Sequence, residues 1–260
     1  MLLNLTQVAL SLASGSLVGF SLGLVGGGGS ILAVPLLVYL VGVSSPHIAI
    51  GTSALAVAAN AAANLANHAR EGHVKWRCAL VLSAAGVVGA FLGSSLGKAI
   101  DGQYLLALFA VIMMVVGVLM LRGRKALGDP LVRLSRENLP KLVGFGLGAG
   151  ALSGFFGIGG GFLIVPALIM ATGMPILNAV ASSLVAVTAF GLTTAANYAY
   201  SGLVDWTVAA LFIAGGVVGG LLGAWSAKML ADSKGTLNTV FAALIFAVSV
   251  YMLVRSLGLV

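Results

Sequence analysis

The chemistry open to this chain begins at two glycine blocks. Gly26-Gly27-Gly28-Gly29-Ser30 runs into Ile31-Leu32-Ala33-Val34-Pro35, and Gly157-Ile158-Gly159-Gly160-Gly161 runs into Phe162-Leu163-Ile164-Val165-Pro166. Glycine admits φ > 0 and weakens helices, so each block is a place where a helix breaks. A helix that starts after a break presents unpaired N–H groups and the positive end of its dipole. That end accommodates an anion without any formal positive charge. The candidate donors are Gly28, Gly29 and Ser30 in the first block and Gly159, Gly160 and Gly161 in the second. The competing reading is a kink whose glycines serve close packing. Matching positions, each followed by a short apolar run, weigh against packing alone. A phosphate-binding loop is excluded, because no Gly-Lys-Ser/Thr follows either block.

A second set of polar residues is spaced for one helical face. Ser53, Asn60, Asn64 and Asn67 recur at intervals of seven, four and three, which places them on one stripe. Ser183, Thr194, Asn197 and Ser201 make a matching stripe, with Phe190 where Asn60 sits. Amides and hydroxyls facing lipid are costly, so both stripes should face a bundle interior. There they either line a path for a polar solute or act as interhelical hydrogen-bonding glue. Thr52, Ser53, Ser182 and Ser183 open their segments and can instead serve as helix caps. All six acids (Glu71, Asp101, Asp129, Glu137, Asp205 and Asp232) fall in loops or at segment ends, so no intramembrane proton relay is visible. His47, His68 and His73 read as surface residues, with no metal-ligand cluster. Without a buried acid–base pair there is no sign of an enzyme, a cofactor or a metal.

The elements that must position these residues are membrane spans. The chain of 260 residues is 60% hydrophobic and 7% charged, with mean hydropathy +1.14, whereas a soluble domain carries about 25% charged residues. The net charge of +7 therefore reports membrane orientation rather than nucleic-acid binding. The lone Cys78 excludes an internal disulfide. Apolar segments fall near 6–25, 30–43, 47–67, 78–98, 103–121, 142–157, 161–173, 176–199, 206–227 and 236–254. The second and seventh are too short to span, since a crossing needs about 20 residues, and read as half-helices after the breaks. Trp76 and Trp206 start spans and read as interfacial anchors. Ladders of small residues, such as Gly15/Gly19/Gly23 and Gly146/Gly150/Gly154, suit close helix contact.

The halves repeat. A shift of about 130 positions lays Gly51-Thr52-Ser53 on Ala181-Ser182-Ser183, Asn67 on Asn197, Gly72 on Gly202, Trp76 on Trp206, and Gly86, Gly89 and Gly93 on Gly216, Gly219 and Gly223. So many matches at nearly one offset indicate duplication. The expected organisation is a first transmembrane repeat at 1–121, a basic cytoplasmic linker at 122–141 and a second repeat at 142–260. The fold is then all-α and polytopic, with about eight to ten membrane segments. The positive-inside rule puts the linker and the Arg70–Arg77 loop on the cytoplasmic side. If each broken segment crosses once, the repeats are parallel; if it dips in and returns, or crosses twice, they are inverted. Charge counting separates the two by one residue. Loss of the bases from the loop near Asp205, and the two interconvertible faces that inversion supplies, favour inverted repeats.

With these motifs in hand, the chain resembles the TauE/SafE family of membrane transporters. The resemblance rests on the two glycine blocks ending at Pro35 and Pro166, on Gly51-Thr52-Ser53 and Ala181-Ser182-Ser183, and on Gly-x-Val-x-Trp at Gly72–Trp76 and its counterpart at Gly202–Trp206. Ser30 and Lys75 depart from the glycine and aspartate expected there. The resemblance implies movement of small sulfur-containing anions, often outward. The combined expectation is an inner-membrane secondary transporter, with a small anion between the two breaks and the bilayer around it, and a homodimer as a possible assembly. Gly28, Gly29, Ser30, Thr52, Ser53, Asn64, Gly159, Gly160, Gly161, Ser182, Ser183, Thr194 and Asn197 would hold the anion.

Overall fold

The computed structural model describes residues 4–122, 134–158, 161–229 and 245–255. Among them the chain is helical throughout, with no strand. The helices are α1 (Leu5–Val25), α3 (Pro46–Arg70), α4 (Trp76–Ala99), α5 (Gly102–Arg122), α6 (Leu139–Phe156), α7 (Gly161–Thr172), α8 (Ile176–Tyr200), α9 (Trp206–Met229) and α10 (Ile245–Arg255), with a composite segment α2 at 26–40. Six of them, α1, α3, α4, α6, α8 and α9, are long and apolar enough to cross a membrane. Their outward faces carry Leu80, Phe91, Leu92 and Leu96 on α4 and Val218, Leu221 and Leu222 on α9, all exposed. In lipid such faces need no covering. Most of the 122–141 linker, with Asp232 and Lys234, lies outside the described residues.

Glycine faces set the packing. Gly15, Gly19 and Gly23 of α1 lie on Phe212, Gly216 and Gly220 of α9, so these helices run parallel. Gly86 and Ala90 of α4 lie on Gly150 and Gly154 of α6, again parallel. With no hydrophobic drive between helices in lipid, close approach of this kind supplies the association energy. Asn60 and Asn64 of α3 rest on Gly216 and Gly220 of α9, while Gly51 of α3 meets Tyr198 and Gly191 of α8 meets Ala58. Thus α3 runs with α9 and against α8.

Directions follow. α1, α3 and α9 point one way, and α4, α6 and α8 point the other. Since α1 and α3 agree, the chain between them must come back, and α2 makes that return. α7 does the same between α6 and α8. Each glycine-broken segment therefore doubles back, and because α1 and α6 are themselves long enough to cross, each segment crosses twice. The first half opens in the direction opposite to the second, as in the inverted alternative. Arg70, Lys75, Arg77, Arg122 and Lys141 gather at one end of the bundle. Lys98, Asp101 and Asp205 lie at the other, with Arg255, whose guanidinium sits 5.3 Å from the Tyr39 ring centroid.

The two returns differ. α7 is a half-helix as expected, opening at Gly161 and containing Pro166. The first copy is also a short apolar helix, at Gly29–Leu40, but of mixed type: Gly26–Leu32 is 3₁₀, Ala33–Pro35 a single α turn and Leu36–Leu40 π-helical. The cause is local. A 3₁₀ stretch is tighter than an α-helix, and a Cβ on Gly29 would lie 2.7 Å from Ser21 Cβ, so glycine is required to lay this stretch on α1. Pro35 then has no N–H to offer the turn before it, and the following turn widens, with Val41 N donating to Leu36 O at 2.9 Å.

Candidate functional site

The two returns meet inside the bundle: the 3₁₀ stretch packs on α7 and α8, and α7 on α6 and α8. Ile31, Leu32, Ala33 and Val34 are buried, as are Gly161 and Ile164. At the second break Gly157 ends α6 with φ +68°, and its N–H donates to Ser153 O at 2.8 Å. That left-handed closure is a glycine C-cap. It exposes the Gly157 carbonyl, which accepts a hydrogen bond from Ser53 Oγ at 3.1 Å; Ser53 also donates to Ile50 O at 2.9 Å. A hydroxyl of the first half thus ties down the break of the second.

The interior carries no buried charge among the described residues. Its buried polar side chains are serine, threonine and asparagine, together with the hydroxyl of Tyr198. Several have no protein partner: both polar atoms of Asn60, and the hydroxyls of Thr194, Ser153 and Tyr198. A buried polar group without a partner is costly, and a solute pathway is one reason to retain it.

The residues expected to hold an anion are divided by the structure. Gly29 and Ser30 are buried in the first return, Gly28 belongs to its 3₁₀ stretch, and Gly161 opens α7. Gly159 and Gly160 lie outside the described residues. Thr194 is buried with its hydroxyl unpartnered. Ser183 is buried but donates to Val180 O in its own helix at 2.8 Å, and Asn64 donates to Asn60 O at 2.9 Å.

Thr52 and Ser182 have a different task from ligand donation. Thr52 Oγ1 accepts from Asp205 N, and Ser182 Oγ accepts from Lys75 N, each at 2.9 Å. They hold the residues just before α9 and α4, and neither caps its own helix as expected, since α3 begins at Pro46 and α8 at Ile176. Asn197 lies in the last turn of α8. Its amide donates to Ser94 Oγ at 2.6 Å and Ser95 Oγ at 3.0 Å, and its Oδ1 accepts from Lys98 Nζ at 2.8 Å. That network is the glue reading of the stripe.

Three residues at the interior went unselected as ligands: Asn60, Ser153 and Tyr198. Asn60 sits in the stripe and Ser153 directly precedes Gly154, so both carried a positional signal. Tyr198 carried none. Sequence reading also treated His68 and His73 as separate surface residues, whereas the structure brings them together with Glu71.

Six helices able to cross a membrane, with two returns that meet in an interior of uncharged polar side chains, make this a multi-pass membrane protein. Comparison with known proteins gives the family. The family described as sulfite exporter TauE/SafE matches residues 11–252, and the chain belongs to it. A "Probable membrane transporter protein" of Xylella fastidiosa (strain 9a5c) is 55% identical over 257 residues, covering 98% of each chain. "Probable membrane transporter protein YunE" of Bacillus subtilis (strain 168) is 26% identical, over 77% of this chain and 81% of its own. A "Probable membrane transporter protein" of Haemophilus influenzae is 31% identical over 68% of each chain. No solved structure matches.

Proposed function

We propose that this transporter moves small sulfur-containing oxyanions, such as sulfite and sulfonates, outward across the inner membrane by alternating access. The observation that carries the proposal is the meeting of the two returns in an interior whose buried polar side chains are all uncharged. Transition-metal carriers use carboxylate, thiolate or imidazole ligands, and this interior has none among its described buried residues apart from the Cys78 thiol. An anion needs only N–H and O–H donors, which the break at Gly161 and the hydroxyls of Thr194 and Ser153 supply. The family's description as a sulfite exporter supports the substrate class. The cluster of Arg70, Lys75 and Arg77 at the end with the linker fits a cytoplasmic mouth under the positive-inside rule and raises local anion concentration there.

The driving force follows from the charge. Moving one negative charge outward across a negative-inside membrane releases about 2.3 kcal/mol per 100 mV. At about 1.4 kcal/mol per tenfold, that sustains an outward gradient of about forty-fold. Export then needs no coupling ion, in keeping with an interior lacking carboxylates. The test is efflux of sulfite from proteoliposomes of purified protein, against a panel of sulfonates, carboxylates and monovalent cations. Sulfite efflux should accelerate under an inside-negative potential. Flux indifferent to potential and following only a pH gradient, or flux of cations alone, overturns the proposal.

A further inference from the structure

The turn between α3 and α4 carries chemistry that the transport reading does not use. α3 ends in the two hydrogen bonds of a Schellman motif. Gly72, at φ +72°, donates to Ala69 O at 3.2 Å, and His73 N donates to His68 O at 3.2 Å. In that motif the residue after the glycine and the residue five before it come into side-chain contact, and the pair is normally apolar. The corresponding end of α8 follows the rule. Gly202 N donates to Ala199 O and Leu203 N to Tyr198 O, each at 2.9 Å, which pairs Leu203 with Tyr198. At the end of α3 the same two positions are both histidine, with ring centroids 6.1 Å apart. Glu71 stands between them. Its Oε2 lies 3.3 Å from His73 Nδ1 and 4.0 Å from His68 Nδ1.

We propose that His68, Glu71 and His73 form a site for a zinc-class divalent ion at the end of the bundle that carries the basic loop. One ligand atom from each residue lies within 4.8 Å of the other two. A tetrahedral ion with bonds of about 2.0–2.2 Å sets its ligands roughly 3.4 Å apart. The His73–Glu71 pair already has that spacing, and small ring rotations bring in His68. Two imidazoles and one carboxylate select zinc, cobalt or nickel over magnesium and calcium, which prefer all-oxygen sites. The backbone beneath is held from outside the turn: Asn178 Nδ2 donates to His73 O at 2.8 Å, and Lys75 N to Ser182 Oγ at 2.9 Å. The ligands thus sit on a turn fixed to α8, and three protein ligands leave one position for water. Bound metal would pin the last turn of α3 to the start of α4 at the basic mouth. This site is independent of the transported solute.

The test uses tag-free, chelator-treated, full-length protein in detergent, titrated with Zn²⁺ by calorimetry and with Co²⁺ by visible absorption. One Zn²⁺ per chain should bind at micromolar concentration, and Co²⁺ should give the strong d–d bands of a tetrahedral site. His68→Ala and His73→Ala should each weaken binding by about tenfold or more, as for loss of a metal-site residue. Glu71→Gln should weaken it too, whereas His47→Ala and Cys78→Ser should leave it unchanged. Absence of Zn²⁺ binding to the wild type, binding that survives His73→Ala, or equal loss in His47→Ala overturns the proposal. Should a histidine variant fail to fold, the wild-type Co²⁺ spectrum decides alone: weak octahedral bands overturn it.

Discussion

Two glycines two residues apart on α6, and so on opposite faces, should respond to the same substitution with opposite sign. Gly150 lies in the seam with α4, where an added Cβ would sit 2.7 Å from both Cα and the carbonyl carbon of Gly86 and closer still to its oxygen. Gly148 faces outward, with nothing within 4 Å of a Cβ built there. Ordinary carbon contacts fall at about 3.5–4.0 Å, so Gly150→Ala must part the helices by about 1 Å, and a gap of that size forfeits up to half of each contact's attraction. The seam is continuous: Gly89 and Gly93 lie on Leu147 and Ala151, and Gly154 on Ala90, so the whole interface opens together. Overpacking costs about 1–3 kcal/mol, and a rigid seam of backbone against backbone places Gly150→Ala at the upper end. Gly148→Ala instead removes a helix-weakening glycine and should gain about 0.5–1 kcal/mol. The two variants should then differ by about 4 kcal/mol, nearly three decades in the folded-to-unfolded ratio at about 1.4 kcal/mol per decade. Unfolding in mixed micelles titrated with a denaturing detergent, followed by circular dichroism, measures this. Equal stability of the two variants, or a Gly150→Ala protein as stable as wild type, refutes the reasoning that the seam is set by backbone contact.

Asn60 is buried with both side-chain polar atoms unpartnered, so the near-isosteric Asn60→Leu should raise stability by about 1–3 kcal/mol. If the amide serves a solute path, the same variant should lower sulfite flux in proteoliposomes; higher stability with undiminished flux assigns Asn60 no part in transport. Ser53 and Ser183 occupy matching positions, yet Ser53 reaches across to the Gly157 carbonyl while Ser183 bonds only within α8. Ser53→Ala should therefore cost about 1–2 kcal/mol, the penalty of a buried carbonyl losing its donor, and Ser183→Ala clearly less. Thermal denaturation in detergent compares them, and a larger loss for Ser183→Ala counts against the break being tied down by Ser53.

The spans were legible because lipid imposes one rule on every helix. An apolar run bounded by turns had to be a crossing or a return, and α3, α4, α8 and α9 begin and end within a few residues of the expected bounds. The first return is the short helix that its apolar run predicts, but its type is not legible: Gly26–Leu32 is 3₁₀, and Gly29 fits against Ser21 and Leu22. Composition reports that a segment is buried, not how closely its backbone must approach another helix.

Direction was the harder question, and the physics that answers it is packing rather than charge. Charge counting left parallel and inverted arrangements one residue apart, because a few lysines sit near segment ends in either scheme. Glycine ladders carry stronger information once their partners are known: Gly15, Gly19 and Gly23 advance along α9 in the same order, which fixes α1 and α9 as parallel and forces α2 to return. The partners themselves were not legible, since they lie in the other half of the chain. The same nonlocality hid the roles of Thr52 and Ser182. Each hydroxyl sits in the second turn of its own helix, but the N–H it accepts from belongs to Asp205 or Lys75, 153 and 107 residues away. Periodicity identifies which side chains face inward. Which of them meet a solute, and which meet the backbone of the opposite half, is decided by how the two halves interlock. Thr194, Asn60 and Ser153 are buried with side-chain polar atoms that have no protein partner, whereas Thr52, Ser182 and Asn197 each bond across to the opposite half.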